Sequence, residues 1–158
     1  MVTVGISDLA VVGADDTLVT YALGSCVGIC LYDNVNKIAG LAHIMLPASA
    51  ASTVNGSEMR FADTAIPMLI KKMSIAGAKT IYLKAKIAGG AQMFVVDKNS
   101  LISNIGGRNV AAVKDVLQKL RIQIIAEDTG KNYGRTLYFN GLNGAVRIKS
   151  VKHGESTL

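Results

Sequence analysis

The chain has no tryptophan, only two prolines, two cysteines and two histidines in 158 residues, and aromatic side chains make up 5% of it. So few aromatics leave little to stack on nucleic-acid bases, and no RNA-binding aromatic run or zinc module occurs, so no nucleic-acid partner is expected. Two cysteines and two histidines without paired CxxC or HxxxH spacing give no reason to expect a metal. Cys26 and Cys30 stand four apart, about 13 Å along a strand, beyond the roughly 7 Å reach of a disulfide. Both are expected as free thiols in a reducing compartment.

Long hydrophobic runs are missing as well. The longest uncharged stretch, residues 38–57, is interrupted by His43, Pro47 and several serines, whereas a bilayer asks for about 20 mainly apolar residues. Residues 1–16 carry no Lys or Arg and reach Asp8 before any long apolar core, unlike a secretory signal. The expectation is a cytoplasmic protein with no direct membrane insertion. Charge is also sparse at 18%, while half the residues are apolar, which excludes a disordered chain and favours a compact core. Seventeen basic against 11 acidic residues leave a net charge of +6. The basic residues are scattered, which suits attraction to acidic protein surfaces.

What is present is β-branched and apolar runs between turn residues, and helical spacing. Residues 17–23, 26–32 and 38–46 are β-branched or apolar and bounded by turn residues, so they predict strands, with a hairpin turn over 33–36. Phe61, Ala65, Ile66, Leu69, Ile70 and Met73 share one face of a helix ending near Gly77, and Pro67 should kink it or delay its regular part. Residues 80–87 predict another strand, followed by a tight turn at Gly89, Gly90 and Ala91. That turn lacks the lysine and hydroxyl of a phosphate loop. Val110, Val113, Val116, Leu117 and Leu120 predict a second helix, with Gly106 and Gly107 before it. Strands follow over 122–126, 135–140 and 145–151. The expected fold is α/β of the α+β type: a layered, mixed, mostly antiparallel sheet sandwich with two main helices. Residues 1–152 form its single domain, and 153–158 a polar C-terminal tail.

Chemistry is most economically placed at Gly24, Ser25 and Cys26. Two small residues before a cysteine allow a tight turn that exposes the thiol and frees amide N–H groups for an oxyanion. With a four-residue turn over 33–36, Tyr32 pairs with Lys37 and Cys26 faces His43, about 5 Å apart on one side of the sheet. An adjacent imidazolium would lower the thiol's pKa and raise the thiolate fraction. The pair could then attack a carbonyl, with His43 as base and acid and a thioester between. Thr20, late in the preceding strand, is placed to orient the imidazole, as are other nearby hydroxyls and carbonyls. Taken singly, Cys26 and His43 each suit an inert core as well; Cys30 is assigned there.

The segments LGSCV (23–27), LAHIMLP (41–47), FADTA (61–65), KIAGGAQMF (86–94), IGGRN (105–109) and AEDTG (126–130) resemble, in order, those of the chemoreceptor glutamine deamidase family, CheD. The resemblance implies a cofactor-free hydrolase that converts glutamines of methyl-accepting chemoreceptors to glutamate, with Cys26 as nucleophile, His43 as base and Thr20 as third member. Gly24 and Ser25 would lie against substrate. It further implies a fold similar to the catalytic domain of cytotoxic necrotizing factor toxins, methylesterase activity in some members, and a CheC-type phosphatase as partner. The stretch 95–104 departs from the usual pattern, being longer and more apolar. The loop over 47–57 is expected to border the substrate groove. The contrasting expectation is a non-enzymatic adaptor that grips a receptor or phosphatase helix.

Overall fold

A computed structural model describes residues 1–49, 58–93 and 104–158. The elements are β1 (Val2–Thr3), β2 (Asp8–Val12), β3 (Thr17–Leu23), β4 (Val27–Asp33), β5 (Ile38–Ile44), α1 (Ala62–Ile75), β6 (Leu83–Gly89), α2 (Ile105–Lys119), β7 (Gln123–Thr129), β8 (Arg135–Asn140), β9 (Val146–Ser150) and β10 (Gly154–Thr157). They build two five-stranded sheets, one in the order β1-β3-β8-β9-β10 and the other β2-β5-β4-β6-β7. Neighbours run antiparallel except β1 with β3 and β6 with β7. The layered, mixed, mostly antiparallel α+β architecture with two helices is therefore the one observed.

The β4-containing sheet is the middle layer. Val27, Ile29 and Leu31 of β4 pack with Ala65, Leu69 and Met73 of α1 and with Val113 and Leu117 of α2. Cys30 of β4 and Ala39 and Leu41 of β5 point the other way, onto Leu18, Leu23, Leu137 and Phe139 of the outer sheet. Being covered on both faces, β4 and β5 consist of near-continuous apolar residues, and each fully buried large side chain contributes about 1.5–3 kcal/mol.

Several expectations are corrected. α1 runs unbroken through Pro67, whose missing N–H falls on the exposed side of the helix, where water can take the freed carbonyl. Gly106 and Gly107 lie inside the first turn of α2 because the Asn104 side chain accepts the Gly107 N–H at 3.2 Å and caps the helix there. Residues Thr80–Tyr82 form a 3-10 turn ahead of β6. The C-terminal residues, expected as a tail, contain β10, which pairs with β9 as the edge of the outer sheet. Its exposed, polar composition hid it, since an edge strand open to water needs no apolar face. β1 and β2 had no counterpart in the sequence reading. Residues 50–57 of the expected groove-bordering loop, Phe94 and the stretch 95–103 lie outside the described residues.

Candidate active site

The chain leaves the outer sheet through an irregular end of β3. The register with β8 shifts between Thr20 and Leu23, Ala22 takes a left-handed φ of 61°, and the Gly24 N–H closes back on the Ala22 carbonyl at 3.0 Å. Residues 24–26 then carry the chain into the middle sheet, where β4 begins. Their three carbonyls are all taken by neighbours: Gly24 O accepts from Ala91 N–H at 2.8 Å, Ser25 O from Asn109 Nδ2 at 2.9 Å and Cys26 O from Gly90 N–H at 2.8 Å. Glycine is required across from them. Gly89 has φ 106°, and a Cβ there would fall 2.3 Å from the Cys26 carbonyl oxygen. The expected tight turn with close backbone approach at Gly89 and Gly90 is thus present.

His43 of β5 faces the outer sheet and is fully buried. Its Nδ1 lies 2.7 Å from Thr20 Oγ1, and the same hydroxyl donates to the Val4 carbonyl at 2.7 Å. A threonine has one proton to give, and a carbonyl can only accept. Thr20 must therefore accept from Nδ1–H, which places the imidazole lone pair on Nε2. That atom is buried and has no hydrogen-bond partner among the described residues. Burial holds the imidazole far below its ordinary range, at about 4, so the ring is neutral at physiological pH.

Cys26 precedes β4, is half-buried and packs against the core between the two sheets. Burial pushes its thiol up from the ordinary value, an effect its own backbone N–H partly offsets. The expected thiolate and imidazolium are therefore replaced at rest by two neutral groups, because withdrawal from water penalises both charges. Direct opposition of Cys26 and His43 is also corrected: Asp33 pairs with Ile38, so His43 stands across from Gly28. The Asp33 carboxylate accepts the Val35 and Asn36 N–H groups, both at 2.9 Å, and Lys37 adopts φ 55°, so the turn spans residues 34–37. A slip of two preserves the side of the sheet, whereas a slip of one would have reversed it. Cys26 and His43 therefore share the face toward the outer sheet, offset along the strands and without a hydrogen bond between them.

The structure brings Thr20 onto His43, puts Gly24, Ser25 and Cys26 in one loop beside them, and leaves Cys30 in the apolar interior with its thiol strongly raised. His153 lies apart, stacked on Tyr133 with ring centroids 4.0 Å apart. Among the described residues no cluster of three or more His, Cys, Asp or Glu could hold a metal, and no helix is long and apolar enough to cross a membrane. Sequence reasoning passed over Asn109, which it quoted only as the end of a motif. An asparagine on an otherwise apolar-facing position of α2 was the available signal. It also missed a groove of about 660 Å³ lined by Ala22, Met93, Arg135, Lys149, Lys152 and His153.

Residues 45–150 match the family model described as CheD chemotactic sensory transduction. The chain is 52% identical over 151 residues to a probable chemoreceptor glutamine deamidase CheD of Caldanaerobacter subterraneus subsp. tengcongensis, covering 96% of this chain and 93% of that protein. Proteins with the same name from Clostridium novyi and Syntrophomonas wolfei are 51% and 47% identical over 153 and 155 residues, covering 97% and 98% of this chain and 94% and 96% of theirs. These alignments take in the β3 to β5 region, which the family-model match does not reach.

Proposed function

The chain belongs to the CheD family, and from that premise we propose that it deamidates glutamines of chemoreceptors through Cys26, His43 and Thr20. The observation that carries the mechanism is the Thr20 hydroxyl, which spends its proton on Val4 and receives Nδ1–H from His43. The imidazole is thereby held in the tautomer a general base needs, and its acceptor nitrogen has no hydrogen-bond partner among the described residues.

The Cys26 sulfur attacks the side-chain carbonyl carbon of glutamine while Nε2 of His43 takes the thiol proton. The Gly24 N–H is engaged with the Ala22 carbonyl, so the oxyanion is met by the backbone amide that follows it in the loop, that of Ser25. The imidazolium returns its proton to the departing nitrogen, the C–N bond breaks and ammonia leaves a thioester. Water adds to that carbon, its proton passing by way of His43 to the sulfur, and glutamate is released with the thiol restored. Burial fits this cycle. An imidazolium that is costly to form is a strong acid toward the leaving amine, and the charge it carries is transient. The same attack on a glutamate methyl ester would expel methanol, which accounts for a methylesterase side activity.

The basic groove beside Ala22 and Met93 suits an acidic segment of the receptor's cytoplasmic region. A CheC-type phosphatase presenting a receptor-like helix would compete for that place. Under this reading the protein acts in the cytoplasm. Incubation with a receptor cytoplasmic fragment, followed by mass spectrometry, should show selected glutamines gaining the mass of Gln-to-Glu conversion. Cys26→Ala should abolish the conversion; a Cys26→Ala protein that converts normally would refute Cys26 as the nucleophile, and a wild type that binds the fragment without converting it would favour the adaptor reading.

A further inference from the structure

The ladder between β4 and β5 ends at the pair Val27 and Ile44. Beyond that pair the two chains part. One continues back to Ser25 and Cys26, and the other goes on to Met45, whose N–H is drawn away to the Arg60 carbonyl at 2.9 Å. Into this fork reaches Asn109 of α2, fully buried. Its Nδ2 donates to Ser25 O at 2.9 Å and to Met45 O at 2.8 Å. Both neighbours are acceptors, so the amide orientation is unambiguous, and both of its hydrogens are used. Its Oδ1 is buried without a hydrogen-bond partner among the described residues. Leaving an acceptor bare costs stability, so a role confined to packing accounts poorly for an asparagine there.

The anchorage of Asn109 is stiff. A Cβ at Gly106, one turn back, would lie 2.3 Å from the Ala91 carbonyl oxygen, so α2 rests directly on the backbone of the turn after β6. That same turn holds the carbonyls of Gly24 and Cys26. One side chain on a rigid helix thus joins the residue next to Cys26 with the residue two past His43. We propose that Asn109 is a positioning residue that sets the separation of the Cys26 sulfur from the His43 imidazole by clamping the diverging ends of β4 and β5 through one carboxamide. It touches neither reacting group. Displacing a reacting group by about 1 Å is enough to cost on the order of 100-fold in rate.

The kinetic half of the test rests on the deamidase reading. Asn109→Ala and the single-donor Asn109→Ser are compared with wild type and with Val146→Ala, which opens a cavity in the core between the sheets beside Phe139, at the end of β8 opposite to Arg135 and Leu23. With a receptor fragment, kcat should fall about 10- to 100-fold in Asn109→Ala, less in Asn109→Ser, with KM within about twofold of wild type and Val146→Ala keeping its kcat. Alkylation of Cys26 by iodoacetamide should move the other way. Release of the loop wets the half-buried sulfur, so the alkylation midpoint should drop toward that of free cysteine and the rate at neutral pH should rise. Folding is checked by circular dichroism, and should Asn109→Ala not fold, Asn109→Ser decides. Wild-type kcat in a folded Asn109 variant, or an equal fall in Val146→Ala, would overturn the assignment. If wild type converts no glutamine, the deamidase reading fails by itself. The alkylation profile then still judges Asn109, with an unmoved midpoint as the refuting result.

Discussion

Thr20→Val removes one oxygen from the interior and keeps the shape of the side chain, which makes it a sharp probe of the Thr20 and His43 pair. Two buried groups lose their partner together, the Val4 carbonyl and the His43 Nδ1–H. Each such group costs about 1–3 kcal/mol when left unsatisfied, and the extra methyl returns less than about 1 kcal/mol. The variant should therefore be about 2–4 kcal/mol less stable than wild type, within the roughly 5–15 kcal/mol that a domain of this size has to lose. Thr20→Ser keeps the hydroxyl and gives up one methyl, for about 1 kcal/mol. Catalysis should separate the pair further. Without an acceptor at Nδ1 the ring is free to change tautomer and to turn, and kcat should fall at least about tenfold, equivalent to about 1.4 kcal/mol of barrier. Urea unfolding followed by circular dichroism measures the stabilities, and nitrogen NMR of histidine-labelled protein reports which ring nitrogen carries hydrogen. A Thr20→Val protein as stable as Thr20→Ser, with Nδ1 still protonated, would refute the tautomer argument.

Other outcomes follow from the same geometry. His43 is held at about 4 in the fold against 6.5 when exposed, so the unfolded chain binds the extra proton. The stability this represents is complete above pH 6.5 and is lost as pH falls toward 4. Between pH 7.5 and 5 wild type should lose about 2 kcal/mol more than His43→Gln in urea titrations. For the same reason the acid limb of kcat/KM should lie near pH 4 to 5; a limb centred near 6.5 would show the imidazole to be solvated. Gly89→Ala places a Cβ against the Cys26 carbonyl and strains a φ of 106°, so it should cost about 1–3 kcal/mol in backbone strain alone and lower kcat through the loop. Its melting temperature and turnover, measured together, test this. Reversing charge with Lys149→Glu and Lys152→Glu should raise KM for an acidic receptor fragment and flatten its salt dependence, with kcat little changed; an unaltered KM would remove the groove from substrate docking.

Much of the scaffold was legible in order along the chain. The β-branched and apolar runs bounded by turn residues delivered β3 and β8 at their observed limits, and the spacing of Ala65, Leu69 and Met73 marked the buried side of α1. Gly24, Ser25 and Cys26 stood out because small residues before a thiol are informative wherever they fold. Even the side of the sheet shared by Cys26 and His43 came through, since parity along a strand is a local property and survives a slip of two. Registration itself did not, because the Asp33 side chain chose the turn. The polar edge strand β10 carried no apolar alternation to betray it.

Legible from neighbours a few residues away were therefore the type of most elements from β3 to β9, the side of the sheet that Cys26 and His43 share, and the residue types able to do acyl chemistry. Only the tertiary structure decided the rest. Thr20 and His43 come from different sheets, Asn109 reaches its two carbonyls from a helix far along the chain, and the neutral state of the thiol and imidazole depends on how much water three packed layers exclude. Those are properties of how the layers meet, and local periodicity carries no record of them.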